Sequence, residues 1–387
     1  MDFLIQEALE KNPKLKAAEK KWEADKAKIP QAGALMDPQL SFGIMNATTD
    51  FDFDVEPMTQ KQVGIMQQIP FPGKLGLKKK IAGYEALIAQ KEYENLKNLI
   101  LSRVKKTYYD LFYAQRAIQI TQQNKGLLSD LARIAETKYT VGKGLQQDVL
   151  KAFVELSKFS ERIINLKRKE KKLQTDLKIF LSRPADSPPV TPEEVIRTEY
   201  RLDFENLKKK ALEKNPKLKA EKLAIDRSKA SYRFAKRKYL PNFGLGFTYG
   251  EREKWRDLLS FRVTMNLPIY FFSKQNKKVD QTAKMMDFAS QSYLNQQNEI
   301  LYGLEDVMSE IERNSELLEL FQTGILPQAE QSLKSAEAAY QVGKIDFLTL
   351  LNNQMTLYNY EVEYYRVLTN YQKSLADLEP ILGERIF

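Results

Sequence analysis

Neither cysteine nor histidine occurs in the 387 residues of this chain. Those two absences remove thiol nucleophiles, disulfides, imidazole bases and most transition-metal sites. A serine triad would then need a lysine variant, and no motif for one is present. Long hydrophobic runs are missing too. No stretch of eighteen apolar residues exists, so no transmembrane helix is expected, and Met1-Asp2-Phe3 has neither the basic start nor the apolar core of a signal peptide. Charge is only mildly one-sided, with 61 Lys and Arg against 51 Asp and Glu. The lysines are interleaved with glutamates, as in Lys167-Arg168-Lys169-Glu170-Lys171-Lys172, a solvated helix surface rather than a phosphate-binding patch. No nucleic-acid partner is expected on this ground, and no enzyme, cofactor or metal motif is recognised in what remains.

What the chain does contain is a duplication. The decapeptide ALEKNPKLKA stands at Ala8–Ala17 and again, letter for letter, at Ala211–Ala220, 203 positions later. An exact repeat carrying an Asn-Pro turn and apolar residues at helical spacing marks two copies of one unit.

The first copy, 1–183, opens as a helix interrupted at Asn12-Pro13, because proline restricts its predecessor and suits a helical first turn. At about 38–46 the apolar period changes to two, with Leu40, Phe42 and Ile44 alternating against polar neighbours. A turn-rich acidic loop leads to a second alternation at about 61–70. Threes and fours then resume over a helix at about 74–139, near 100 Å at 1.5 Å per residue. A glycine turn at 140–144 reverses it into a shorter helix. A Pro-rich connection, 184–203, leads to the second copy, 204–387. That copy repeats the order: strands at about 241–250 and 258–268, a long helix at about 274–340, a tip turn at 341–345 and a return helix. The second long helix carries heptads, with Leu304, Ile311, Leu318 and Ile325 on one seam and Ile300, Val307 and Phe321 on another.

Two strands per copy cannot stand alone in water. Four strands with one apolar and one polar face would still expose that face and two edges. Either they pack on a helix of the same chain, or the apolar face meets lipid in a closed barrel built from several chains. The strands are of bilayer-crossing length, and their polar face is rich in Gly, Ser, Thr and Asn, which favours the barrel.

Several pieces carry a resemblance over nearly the whole chain: Ala-Leu-x-x-Asn-Pro-x-Leu-x-Ala at Ala8 and Ala211, the junction Gln68-Ile-Pro-Phe-Pro-Gly-Lys74, Tyr139-x-Val-Gly142, Leu326-Pro-Gln-Ala329 and Tyr340-x-Val-Gly343. In this order the sequence resembles the TolC family of outer-membrane efflux ducts, and the junction is more similar to the heavy-metal cation efflux branch. The resemblance implies a mainly α fold with a small membrane β-barrel contribution: a homotrimer with a twelve-stranded barrel and an α-helical tunnel. It implies the outer membrane of a Gram-negative-type cell, with the tunnel extending into the periplasm and an equatorial belt formed from the Pro-rich connection and the C-terminus. The implied partners are a periplasmic adaptor, an inner-membrane RND-type or ABC-type transporter and outer-membrane lipid. The function implied is a passive exit duct gated at its helical tips. The outer-membrane component of a type I protein secretion system and a soluble structural coiled-coil protein stand as alternatives.

Gly142 and Gly343 mark the two tips. Aligning them puts Asp148 and Tyr340 where the family has a carboxylate–phenol hydrogen bond holding the closed state. The plainer reading is that Asp148 solvates the return helix while Tyr340 packs beneath the turn. The acidic ring that some members place inside the tip aligns to Thr349 and Asn352, both neutral, so an acidic filter is not expected at those positions. The repeat itself adds a pair: Gly126 and Pro327 each lie thirteen residues before the tip tyrosine. Both weaken a helix, by about 1 and 3 kcal/mol relative to alanine. They are candidates for a paired hinge, or for a static bend that tapers the bundle.

Overall fold

The computed structural model describes residues 1–50, 52–200 and 203–386. Residues 201 and 202 of the Pro-rich connection, and residue 387, lie outside the described residues. The first copy folds as α1 (Asp2–Lys11), α2 (Pro13–Gly33), β1 (Gln39–Met45), β2 (Gln60–Ile69), α3 (Lys74–Thr140) and α4 (Gln146–Leu181). The second folds as α5 (Phe204–Lys214), α6 (Pro216–Arg237), β3 (Asn242–Glu251), β4 (Leu258–Asn266), α7 (Lys277–Leu320), α8 (Leu326–Gln341) and α9 (Phe347–Leu382). The expected order of helix, strand pair, long helix and return helix holds in both copies.

The second long helix is not continuous. π turns at Phe272–Asn276 and Phe321–Ile325 bracket α7. In the latter, the Leu326 amide donates to the Phe321 carbonyl, a five-residue step. Pro327, the second residue of α8, supplies the cause: it lacks an amide hydrogen and its ring crowds the carbonyl four residues earlier, so the preceding turn widens. Gly126, its repeat partner, sits inside the unbroken α3. The two candidate hinge positions are therefore not structurally equivalent.

The helices and strands form two compact units. One contains 1–17, 94–215 and 298–387, and its core holds Val104, Leu111, Leu128, Leu304 and Leu318, all fully buried. Of the first expected heptad seam, Leu304, Ile311 and Leu318 are buried, while Ile325 is half-buried in the π turn. The decapeptides act here as clips. Asn12, extended because proline follows it, caps α2 by accepting from the amides of Lys14 and Leu15, and donates to the Phe180 carbonyl at the end of α4. Asn215 repeats the clip, donating to the Pro380 and Ile381 carbonyls at the end of α9. One pair stands apart: Lys105 and Glu379, 1% and 2% exposed, meet at 2.6 Å.

The other unit contains 18–93 and 216–297. It holds a single antiparallel sheet in the order β1-β2-β3-β4, with β1 and β4 as its edges. All helical connections leave from one end of this sheet, where Gln39, Ile69, Asn242 and Asn266 lie; both hairpin loops lie at the other. Gly73 makes the β2-to-α3 corner at φ +84°, and the Arg237 guanidinium donates to the Pro72 carbonyl beside it. An added Cβ at Gly73 would lie 2.6 Å from that guanidinium.

Candidate functional site

The sheet register sorts side chains by chemistry across all four strands. Leu40, Ile65, Phe247 and Phe261 form one transverse row, and Phe42, Val63, Tyr249 and Leu259 form the next, on the same face. These residues are all exposed; Phe42 reaches 74% and Phe261 71%. The opposite face carries rows such as Ser41, Gly64, Thr248 and Ser260. Alternation along each strand produces this division, because successive residues of a strand point to opposite faces. A continuous apolar face of this extent exceeds the scattered exposure of a water-soluble surface and marks a surface built to be covered.

The two tips share one geometry. Gly142 and Gly343 both adopt positive φ, +71° and +72°. Each donates to the carbonyl of its tip tyrosine, and the following lysine amide donates back to Lys138 or Ala339. Left-handed glycines that recover the last carbonyls of a helix are the usual C-terminal stop. Beneath the tips, Leu128 and Ala132 of α3, Ala152 and Phe159 of α4, Leu333 of α8 and Leu351 of α9 share one core.

The structure brings Asp148 and Tyr340 near each other but does not join them. Among the described residues no hydrogen bond links the two. Tyr340 is buried, packs edge-on against Phe347 at 6.0 Å, and its phenol is pushed up by burial and then by the Asp148 charge. In this structure Tyr340 packs beneath the turn. Lys138, in the last turn of α3, sits over the Tyr340 ring at 3.7 Å and donates to the Tyr340 carbonyl at 3.3 Å. Nothing in the repeat pattern marked Lys138, because its contact is with the ring face and a backbone atom of a distant segment.

Thr349 and Asn352 are both exposed on α9, three residues apart and on one face. The Thr349 amide donates to the Asp346 carboxylate at 2.7 Å, so Thr349 also serves the N-cap of α9. Farther along α9, Gln354 donates to Asn124 at 2.6 Å, and Asn124 donates both to Glu361 and to the Ile120 carbonyl. Thr121 and Tyr358 meet at 3.1 Å. This buried polar ladder ties α3 to α9, and satisfied networks of this kind fix register. Gly126 is exposed, and an added Cβ there would meet nothing within 4 Å. Gly126→Ala should therefore stabilise the chain by roughly 0.5–1 kcal/mol, the helix-propensity gain alone, read from thermal or denaturant unfolding.

The profile of the outer membrane efflux protein family matches residues 4–179 and 207–384, one match in each copy. The cobalt-zinc-cadmium resistance protein CzcC of Cupriavidus metallidurans is 21% identical over 380 residues, covering 96% of this chain and 87% of that protein. Among solved structures, CusC superposes with a TM-score of 0.84 at 16% identity, over 99% of this chain and 92% of that one. The outer membrane protein VceC of Vibrio cholerae gives 0.84 at 16% identity, over 99% and 96%.

Proposed function

The chain belongs to the outer membrane efflux protein family, and from that premise we propose that it is the passive exit duct of a tripartite efflux system. It is an outer-membrane protein and not an enzyme. In the proposed assembly three chains contribute four strands each to one barrel, and their helices form the tunnel toward the periplasm. A periplasmic adaptor and an inner-membrane pump feed it, and the pump supplies the energy. The observation that carries this is the exposed apolar face of an open sheet with two unpaired edges. Lipid satisfies the face, and neighbouring chains satisfy the edges. The 67 residues of α3 support the tunnel, since about 100 Å of helix suits a periplasmic span. The likeness to CzcC supports metal cations as cargo. Neutral Thr349 and Asn352 leave the choice of cargo to the pump rather than to an acidic ring at these positions.

We assign the closed tip to the Lys138–Tyr340 contact. A cation held over an aromatic ring contributes about 0.5–2 kcal/mol, depending on its desolvation. Lys138→Gln or Tyr340→Leu should then raise the open-to-closed ratio of single channels in planar bilayers by roughly 2–30-fold, the factor for that range of energies. Asp148→Asn should change it far less. An Asp148→Asn effect equal to that of Lys138→Gln would restore the carboxylate as the latch.

The hinge is assigned to the second copy alone, at the π turn Phe321–Ile325 ahead of Pro327. Pro327→Ala is expected to lower open-state conductance while Gly126→Ala leaves it unchanged. Equal conductance in both variants would remove the hinge.

A further inference from the structure

At the helical end of the sheet lies a cavity of about 410 Å³ lined by Lys74, Lys238, Lys274, Gln275, Leu267 and Tyr270. The lysines come from three separate segments: the start of α3, the residue after α6, and the π turn before α7. Lys74 is only 6% exposed, and two of its three donors are spent on the Leu240 carbonyl at 2.6 Å and Asn242 Oδ1 at 2.7 Å. Gln275 is likewise buried, and among the described residues its Oε1, an acceptor, has no hydrogen-bond donor, so the lysine ammoniums and not this oxygen would face an anion.

The charge in this cavity is all of one sign. Burial pushes the Lys74 and Lys238 ammoniums down, and the like charges of their neighbours push them further, Lys238 and Lys78 on Lys74 and Lys278, Lys78 and Lys274 on Lys238. Among the described residues none of these five lysines is paired with a carboxylate. Lys74 is buried while Lys78, Lys238, Lys274 and Lys278 stand exposed around it, and like charges gathered without a counter-charge make a site short of an anion.

The surroundings say where such an anion would come from. Leu267 continues the parity of Leu259, Phe261, Val263 and Met265, so it extends the apolar face of β4 past the strand end. Ile269, Tyr270 and Phe272 follow, 66%, 70% and 72% exposed. Aromatic residues and lysines gathered just beyond a membrane-crossing segment sit at headgroup level. We propose that this cavity binds a phosphate group, presented by the headgroup of an anionic phospholipid in the periplasmic leaflet. The lipid source rests on the reading that the sheet lies in the outer membrane. The bound phosphate would tie the strand ends to the starts of α3 and α7 and to the end of α6.

The test uses the full chain purified in detergent, with phosphatidylglycerol retention measured by native mass spectrometry. Lys74 is left intact because it also fastens Leu240 and Asn242. In Lys238→Gln/Lys274→Gln, retention should fall by roughly 25-fold, about fivefold for each lysine near a membrane surface. Lys167→Gln/Lys171→Gln, elsewhere on the chain, should retain wild-type binding. Zwitterionic phosphatidylcholine should be held more weakly by the wild type. If millimolar inorganic phosphate displaces the lipid as readily as added phosphatidylglycerol does, the phosphate site stands and free phosphate is its ligand. Equal lipid retention by wild type and Lys238→Gln/Lys274→Gln, with pores still formed, overturns the site while leaving the duct intact. A chain that stays soluble without detergent defeats the duct itself, and the lipid assignment with it, before any lipid is added.

Discussion

Replacing Lys105 with methionine is expected to destabilise the chain by about 3–5 kcal/mol. Lys105 and Glu379 are both almost wholly buried, and the Glu379 carboxylate also accepts from the Ile386 amide at 2.9 Å. Removing the lysine leaves a carboxylate in a low-dielectric interior, where it must either stay charged and uncompensated or take up a proton. Burial, the largest single influence on the Lys105 ammonium, pushes it down while the Glu379 carboxylate raises it, and the desolvation of a buried pair offsets much of its attraction. Lys105→Met/Glu379→Gln should accordingly recover most of the loss, to within about 1 kcal/mol of wild type, because replacing a buried pair together is close to neutral. Denaturant unfolding of both variants decides the matter. A double variant as unstable as the single one would mean that packing, not charge, sets the cost.

The second large effect is at the paired clips. Asn12→Ala removes the cap of α2, about 1 kcal/mol, and strands the Phe180 carbonyl, about 1–3 kcal/mol more. A total of roughly 2–4 kcal/mol follows for Asn12, and a similar figure for Asn215, which serves two carbonyls at the end of α9. Asn12→Asp separates the two contributions. It keeps the acceptor toward Lys14 and Leu15 but loses the donor to Phe180, so it should cost nearly as much as alanine. Should Asn12→Asp behave like wild type instead, the cap alone would explain the repeat.

These clips also show what the sequence could and could not reveal. The duplication was visible as letters, and the strand pairs as a change of period from about 3.6 to 2, because both signals are local. Gly142 and Gly343 were legible for the same reason: a helix stopping at a left-handed residue favours glycine. The π turn at Phe321–Ile325 was not, since the distortion lies upstream of the proline that causes it. Lys74, Lys238 and Lys274 lie far apart in the sequence, and only the fold brings their segments to one cavity. At the tip, Lys138 lies over the Tyr340 ring, a contact with no spacing rule. Alternation along each strand predicts the sheet, yet the alignment of apolar rows across four strands depends on a pairing that no single strand encodes.

In the proposed duct the exposed apolar face of the sheet is covered by lipid in a barrel shared among chains. The mass of the purified particle in detergent, corrected for bound detergent, tests it most directly. Three chains per particle, with aggregation once detergent is withdrawn, is the predicted result. A single chain that remains soluble and monodisperse without detergent would contradict it.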